Sequence, residues 1–250
     1  THTKLYNSWW LLYLGDSAMT KWYSVVPVIL FFAALKLSDY SFVESIEYTY
    51  YDQLQRNHEI SKVNDIVLVN IDEKAIEKEG QYPWARNVIS KYIDKSPINS
   101  LIVSTIIWSE QDRFAGDKAL SESLSQKASV LASAPTRQTT TSDLGIYANV
   151  STFGKATETL IDYSGLLTPI PELAQMAMGV GAVSAEVDQP SGVLRRVPLL
   201  VSINGQPYPS LGLDTVRVFL GEPSYTVKYN ELGMEWVRLG RQDPITTQPS

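Results

Sequence analysis

Hydrophobic and polar positions alternate most regularly between Asp188 and Gly221. The polar Pro/Gly cluster Asp188–Gly192 predicts a tight turn. A strand is predicted next, because every second position places one apolar face on Val193, Val197, Leu199, Val201 and Ile203. Asn204-Gly205 is a strong hairpin-turn signal, and Ser210 is suited to cap a helix that ends before Gly221. This stretch therefore predicts a strand, a tight turn and a helix in unbroken order.

Arg195 lies on the apolar face of that predicted strand. A buried guanidinium requires a well-placed carboxylate, so we expect a partner from among Asp188, Asp72 and Glu73. Pro198 cannot donate to a ladder and predicts a sheet edge or a bulge. If a bulge falls there, Arg195 and Arg196 exchange faces.

Earlier in the chain, apolar β-branched runs alternate with helical patterns. The run DIVLVNID, Asp65–Asp72, has no polar face until its end, which predicts a strand covered on both sides. GQYPWAR then predicts a helix start with Pro83 in its first position and an inner face of Val88, Ile89, Tyr92 and Ile93. A second buried strand, a helix and a third strand are predicted at Leu101–Trp108, Asp117–Lys127 and Val130–Ala134. This rhythm predicts an α/β domain with a mixed, largely parallel sheet flanked by helices.

The remaining segments are less regular. Pro135–Gly165 loses its pattern and is interpreted as a long excursion, either mobile or functional. A short helix from Pro171, closed by Gly179, and a strand at Gly181–Val187 are predicted to follow. Tyr225–Asn230 and Met234–Leu239 flank a turn and predict a hairpin.

Near the N-terminus, the run between Lys21 and Lys36 carries no charge and is flanked by aromatic residues. A helix from Trp22 to Tyr40 would rise about 27 Å, close to the hydrocarbon thickness of a bilayer. We therefore expect an uncleaved transmembrane helix at residues 21–40, with a buried core helix as the alternative. Residues 1–20 are interpreted as an interfacial or cytoplasmic segment, and the lysines before the span favour an N-terminus inside the cell.

Beyond that run, an apolar residue recurs every fourth position, at Phe42, Ile46, Tyr50 and Leu54. This stripe predicts a helical stalk at residues 41–60. The stripe has two open interpretations: it packs beneath the domain that the stalk carries, or it pairs with a second copy of the chain.

Composition narrows the function classes. The chain has 250 residues, 44% of them hydrophobic, which is enough for one sizeable domain. A net charge of -6 without a basic cluster argues against a nucleic-acid partner. The chain has no Cys and only two His, so thiol chemistry, thiolate or histidine-rich metal sites and a Ser-His-Asp triad are not expected. We find no catalytic constellation and predict neither an enzyme nor a cofactor or metal site.

Two stretches carry a resemblance to a known family. DIVLVNIDEKAI with GQYPWAR, and GAVSAEVDQPSGVLRRVPLLVSINGQPYPSLGLDTVRVFLG, are similar to the CHASE type 2 extracellular sensory domain of bacterial membrane receptors. The Tyr51-Asp52 pair resembles the family more weakly. The resemblance implies an N-terminal membrane helix, a sensory domain at residues 61–250 and a C-terminal end short of the family's closing strands. It also implies an output module in a longer protein, such as a cyclase or a kinase. Thr105 departs from the family, whose members usually carry an acidic residue there.

Polar residues near the predicted strand ends are the candidate ligand-binding or interface residues. Asp72 and Glu73 end the first predicted strand, where open α/β sheets place ligands. The alternative is an ion pair with Arg86 or Arg195 and a helix-capping role. Trp84 and Arg86 are interface candidates, with helix packing and carboxylate pairing as the alternative. The set is completed by Asp188, Arg195 and Arg196.

The sequence thus predicts a periplasm-facing sensory and binding domain anchored in the bacterial inner membrane. We expect a small-molecule or protein ligand, self-association or assembly with membrane proteins, and no nucleic acid. An envelope protein that uses the same domain as a docking scaffold is the alternative. A periplasmic hydrolase with an acidic site has the least support.

Overall fold

The computed structural model describes residues 25–34, 41–58, 65–139, 149–154, 160–184, 192–231 and 233–247. The chain divides into two compact units. The smaller comprises Thr1–Leu68 with Val187–Val193, and the larger comprises Val69–Glu186 with Leu194–Ser250. Residues 185–191, and with them Asp188 and its predicted turn, lie outside the described residues.

The smaller unit contains two helices, α1 (residues 25–34) and α2 (Ser41–Arg56). The apolar side chains of α1 are exposed, and so are Ile46, Tyr50 and Leu54 of the predicted stripe on α2. The structure thus has a helix at Ser41–Arg56 within the predicted range 41–60, and its role as a stalk stays a prediction. Among the described residues, no helix combines the length and apolar character that spanning a bilayer requires. Residues 1–24 and 35–40, which complete the predicted N-terminal segment and span, lie outside the described residues.

The larger unit alternates short helices and strands. Its helices are α3 (Glu73–Glu79), α4 (Arg86–Lys95), α5 (Asp117–Ser125), α6 (Pro171–Ala174) and α7 (Leu211–Phe219). Its strands are β1 (Ile102–Ile107), β2 (Ser129–Thr136), β3 (Asn149–Phe153), β4 (Asp162–Tyr163), β5 (Gly165–Leu167), β6 (Gly179–Ala182), β7 (Leu200–Ile203), β8 (Gln206–Pro209), β9 (Ser224–Asn230), β10 (Gly233–Leu239) and β11 (Ile245–Thr246).

The first sheet carries the predicted α/β rhythm. Strand β2 lies between β1 and β6, pairs with both in parallel, and also pairs with β5 in the antiparallel direction. Successive residues of a strand point to opposite faces. On one face Leu131 packs with side chains of α4, α5 and α6, and on the other Val130 and Ala132 pack against α7. The predicted order of strand, helix and strand from Leu101 to Ala134 is confirmed.

Two further sheets make the fold more mixed than the sequence predicts. One has the order β11-β10-β9-β3, and the other has the order β4-β7-β8. Their cores contain Tyr225, Val227 and Val237 in the first case, and Tyr163, Val201 and Tyr208 in the second. The prediction of one largely parallel sheet is therefore correct only for the sheet around β2. Strands β3, β4 and β5 were missed because segments of two to five residues carry too little periodicity to be recognised.

The hairpin and helix signals after Leu200 are confirmed. Asn204 and Gly205 have φ values of 51° and 77°, the left-handed pair that a two-residue turn between β7 and β8 requires. Ser210 Oγ accepts a hydrogen bond from the Leu213 amide at 3.2 Å and so caps α7. Gly221, with φ 69°, follows the helix, and β9 and β10 form the predicted second hairpin.

Two predicted strands are wrong in the structure. Residues 65–72 form no strand and pair with no described strand, and Ile66–Val69 are exposed. Strand propensity is not sufficient here, because a ladder also needs a partner edge, which propensity does not supply. In the predicted strand Val193–Ile203, the last four residues form β7, Val193 takes part in an isolated bridge, and Val193 and Val197 are exposed. Pro198 removes a ladder donor directly before β7, so the ladder of the described sheet begins beyond it.

Three boundaries also differ from prediction. Helix α4 begins at Arg86, so Pro83 lies in the preceding turn rather than in the first helical position. Tyr92 of its predicted inner face is exposed, whereas Ile89 and Ile93 pack against the core. Gly179 opens strand β6 instead of closing a helix, because the helix from Pro171 ends at Ala174.

Candidate functional site

Arg86 organises the loop that follows β1. Its guanidinium is buried, pairs with the Asp117 carboxylate and donates to the carbonyl of Glu110. It also lies over the Trp108 ring, 5.1 Å from the ring centroid. The Trp108 indole donates to Ser104 Oγ of β1 at 3.1 Å. One cation from α4 therefore fixes both ends of the segment Trp108–Asp117 at the carboxyl end of a sheet strand.

Asp112 holds the middle of that loop through backbone donors. Its carboxylate accepts from the amides of Arg86 and Gly116, each at 2.9 Å, and from the Phe114 amide at 3.3 Å. Burial opposes ionisation of Asp112, but these donors outweigh it, and the pKa of the carboxyl lies below its usual value. Asp112 is therefore ionised at neutral pH and acts as an acceptor only.

Gly116 lets the loop approach α4 closely. A Cβ at this position would come within 2.6 Å of the Asn87 amide nitrogen and 2.6 Å of Asp112 Oδ2. Asp117 completes the arrangement, since its second carboxylate oxygen accepts from the Asp112 amide at 2.9 Å. The loop Trp108–Asp117 is thus held by hydrogen bonds between its carboxylates and backbone amides.

The tip of this loop is its exposed part. Phe114 is 65% exposed, and Ala115 adopts a φ of 54°, which is uncommon for a residue with a side chain. Such a conformation persists only where the surroundings determine it, as Asp112 does here. The arrangement can present a fixed apolar side chain to a partner, whereas its carboxylates are engaged internally.

The sequence-predicted residues Asp72 and Glu73 serve helix α3. Asp72 Oδ1 accepts from the Ala75 amide at 2.9 Å, and Glu73 lies in the first helical turn, where a negative charge is favourable. Both side chains are exposed. The capping interpretation of Asp72 is confirmed, while the ion pair with Arg86 is wrong because the guanidinium pairs with Asp117 across the α4–α5 contact.

Trp84 is half-buried beside the turn that precedes α4. Its indole donates to the Gly80 carbonyl at 2.6 Å, and its ring meets Tyr82 edge-on at 6.0 Å. The structure therefore brings Trp84 and Arg86 to the same helix start, where Trp84 packs in the turn and Arg86 reaches the loop. Trp84 presents only part of its ring to solvent.

Arg195 and Arg196 precede β7. Arg195 is half-buried and Arg196 is exposed, in a segment that forms no ladder. The pairing of Arg195 with a carboxylate stays a prediction. Asp188 cannot be placed, since it lies outside the described residues.

A second buried charge network was missed by the sequence reasoning. In α7, Arg217 Nε donates to Asp214 Oδ1 at 2.7 Å, and the Tyr225 hydroxyl from β9 donates to the same oxygen. The guanidinium also donates to the carbonyls of Met178 and Glu222 at 3.0 and 3.1 Å. Burial opposes the charge on Arg217, but Asp214 outweighs it and the pKa of Arg217 is raised. The spacing of Asp214 and Arg217 could have indicated the ion pair, because residues three apart on a helix are neighbours.

Metal binding finds no support in the part of the chain that the structure describes. No group of three or more His, Asp or Glu side chains there could hold a metal ion. The described carboxylates that converge, Asp112 and Asp117, are occupied by Arg86 and by backbone amides. The geometry fits a structural network that supports a binding surface.

Comparison with known proteins places the chain in a family. No curated protein and no solved structure shows significant similarity to it. The family model of the CHASE2 domain matches residues 26–249, which is nearly the whole chain. The match includes α1 and α2, the loop organised by Arg86 and the network around Asp214. The chain therefore belongs to the CHASE2 domain family.

Proposed function

We propose that this chain is the sensory part of a bacterial signalling receptor, anchored in the inner membrane with most of its residues in the periplasm. The observation that carries the proposal is the CHASE2 match over residues 26–249, since this is a family of extracellular sensory domains. In the proposed receptor, a bound ligand or self-association changes the population of domain conformations and so biases an output module across the membrane.

The N-terminal region supports the anchor. The run from Trp22 to Leu35 is free of charge, and the described helix within it, α1, exposes Val25, Ile29 and Phe32. Contiguous exposed apolar side chains of this kind are typical of a surface that another phase or another protein covers. Lys4 and Lys21 precede the run, whereas the next Lys or Arg after Lys36 is Arg56, which favours export of the C-terminal part.

The loop after β1 supports a binding role rather than catalysis. Its ionisable groups, Arg86, Asp112 and Asp117, are used to hold the loop, so none is poised for acid–base work. The exposed Phe114 is instead a preorganised contact, and rigid aromatic side chains contribute strongly to recognition. We propose that a small molecule or a protein binds on this side of the sheet.

Reporter fusions test the proposed location. Alkaline phosphatase, which is active only outside the cytoplasm, and a green fluorescent protein that folds only inside it are fused after Ser250 of the full chain. We expect phosphatase activity and no fluorescence. The matched control replaces Ile29 and Phe31 by Arg, which should abolish phosphatase activity because charged residues prevent insertion. Fluorescence without phosphatase activity in the unsubstituted chain would contradict the proposed location.

The reading frame of the gene tests the receptor role. A frame that continues past Ser250 into membrane helices and a cyclase or kinase module is expected for a receptor. A stop codon directly after Ser250 would contradict the receptor proposal and favour an envelope scaffold.

A further inference from the structure

Strand β1 ends the first sheet with a free edge. It pairs with β2 on one side, and no described strand pairs with it on the other. Its outward residues Val103 and Ile107 are 41% and 37% exposed. Helix α7 packs on β2 through Leu211 and Val218. An apolar edge strand of six residues that no other described strand pairs with on its outer side is an unusual feature for a protein that stays monomeric.

The same chain carries an unpaired segment of matching chemistry. Residues 66–71 form no helix or strand, and Ile66, Val67, Leu68 and Val69 are between 71% and 83% exposed. Because successive residues of a strand point to opposite sides, this segment would be apolar on both sides once it joined a sheet. A segment of this kind is typical of a strand inside a sheet that is covered on both faces.

We infer that the free edge of β1 binds residues 66–71 of a second copy of this chain. Strand β1 offers six residues along one edge, the segment is long enough to cover them, and both carry exposed apolar side chains. Addition of an extended segment to a sheet edge is an established way of forming an interface.

Symmetry favours a second copy over an unrelated partner. In a two-fold dimer, each copy donates its segment and receives one, so both edges and both segments are satisfied at once. An unrelated peptide would cover β1 but would leave Ile66–Val69 exposed. The inference concerns assembly and does not depend on the sensory role proposed above.

Engineered disulfides test the pairing directly, because the chain has no Cys of its own. Two full-length variants with different affinity tags, one with Val69→Cys and the other with Thr105→Cys, are mixed and oxidised mildly. Parallel mixtures with Val67→Cys and Leu68→Cys allow for the register. A disulfide between the two tags can form only between copies. We expect at least one of these mixtures to cross-link ten or more times faster than the control.

The control variant is Phe219→Cys, whose position at the end of α7 is 75% exposed and belongs to neither β1 nor residues 66–71. A second measurement uses Val69→Lys, which should reduce the cross-linking and the dimer fraction in sedimentation at least tenfold. The matched Phe219→Lys should leave both unchanged. Cross-linking no faster than the control contradicts the inference. So does a disulfide that forms only within single chains carrying Cys at both 69 and 105.

Discussion

Replacing Asp214 by Asn should destabilise the larger unit more than any exposed substitution. Asp214 is 2% exposed, and its Oδ1 receives hydrogen bonds from Arg217 and Tyr225. The amide of Asn has nearly the same shape but no charge. The substitution therefore leaves the Arg217 guanidinium buried without its counterion while keeping the packing of α7 against β6 and β9.

The magnitude follows from what remains around Arg217. The guanidinium keeps its bonds to the carbonyls of Met178 and Glu222, so it stays hydrogen-bonded but unneutralised. Removing one partner of a buried ion pair costs about 3–5 kcal/mol. A domain of this size is stable by about 5–15 kcal/mol, so the loss is a large part of the total. Tyr225→Phe removes only a hydroxyl donor and should cost about 1.5–3 kcal/mol.

Urea unfolding of the full chain, followed by circular dichroism at pH 7, measures these free energies. A double-mutant cycle with Arg217→Met isolates the pair itself, since the double variant leaves no unpaired charge. We expect the double variant to lose less stability than the two single variants lose when their separate effects are added. The coupling should reach about 2 kcal/mol or more, which is within the range for residues in one network.

Two outcomes would refute this reasoning. If Asp214→Asn costs less than about 1 kcal/mol, the pair contributes no more than an exposed salt bridge does. If the two single effects add without coupling, then Asp214 and Arg217 act independently and the network does not work as a unit.

Four further predictions concern single sites. Tyr229→Phe should raise stability by up to about 1 kcal/mol in urea unfolding, because the buried Tyr229 hydroxyl has no hydrogen-bond partner; a loss above about 1 kcal/mol would contradict this. Burial raises the pKa of the Tyr229 hydroxyl to about 12, above its unfolded value of about 10. Ionisation of this hydroxyl therefore lowers the free energy of unfolding of the unsubstituted chain as pH rises from about 10 through 12. The free energy of unfolding of Tyr229→Phe should fall less over this range. Gly116→Ala should lower the free energy of unfolding by about 1–3 kcal/mol, because the new Cβ would collide with the backbone of α4. Gly212→Ala in α7, where a Cβ meets nothing within 4 Å, should be neutral or stabilising. Equal effects of the two substitutions would refute the close approach of Gly116 to α4. Lys127→Met should lower the melting temperature by several degrees, because the buried ammonium donates to Ser96 O and Oγ at 2.7 and 2.6 Å at the end of α4. The control Lys118→Met changes an exposed side chain and should leave the melting temperature unchanged.

Local signals predicted the parts of the fold that local chemistry determines. The turn at Asn204-Gly205 and the cap at Ser210 follow from backbone preferences and one side-chain acceptor, so the sequence contains everything they need. The order of elements from Leu101 to Ala134 was predicted equally well, because Val130, Leu131 and Ala132 of β2 are apolar and buried, with a covered face on each side.

Local signals do not predict which distant segments pair with each other. Ile66–Val69 has the composition of a central strand, but whether it joins a sheet depends on an edge some thirty-five residues away, and composition does not specify that edge. Arg86 illustrates the same point for the site. The sequence predicted that a nearby carboxylate would meet it, with Asp72 or Glu73 as one alternative, whereas the fold supplies Asp117 from another helix.

The two kinds of feature in this chain suggest how a signal could be transmitted. Its buried charges at Arg86 and Arg217 are satisfied internally and give a fixed scaffold, whereas its unsatisfied surfaces, the β1 edge and residues 66–71, are apolar and complementary. We therefore expect the two states of the protein to be associated and separate copies of the chain, and not two internal arrangements of the larger unit. To move the proposed dimer from a tenth to nine tenths of the population, a ligand must favour it about 80-fold, or by roughly 2.6 kcal/mol. One well-packed aromatic contact is worth that much, and Phe114 is positioned to make one, so a single binding event at the loop tip is energetically sufficient to control self-association.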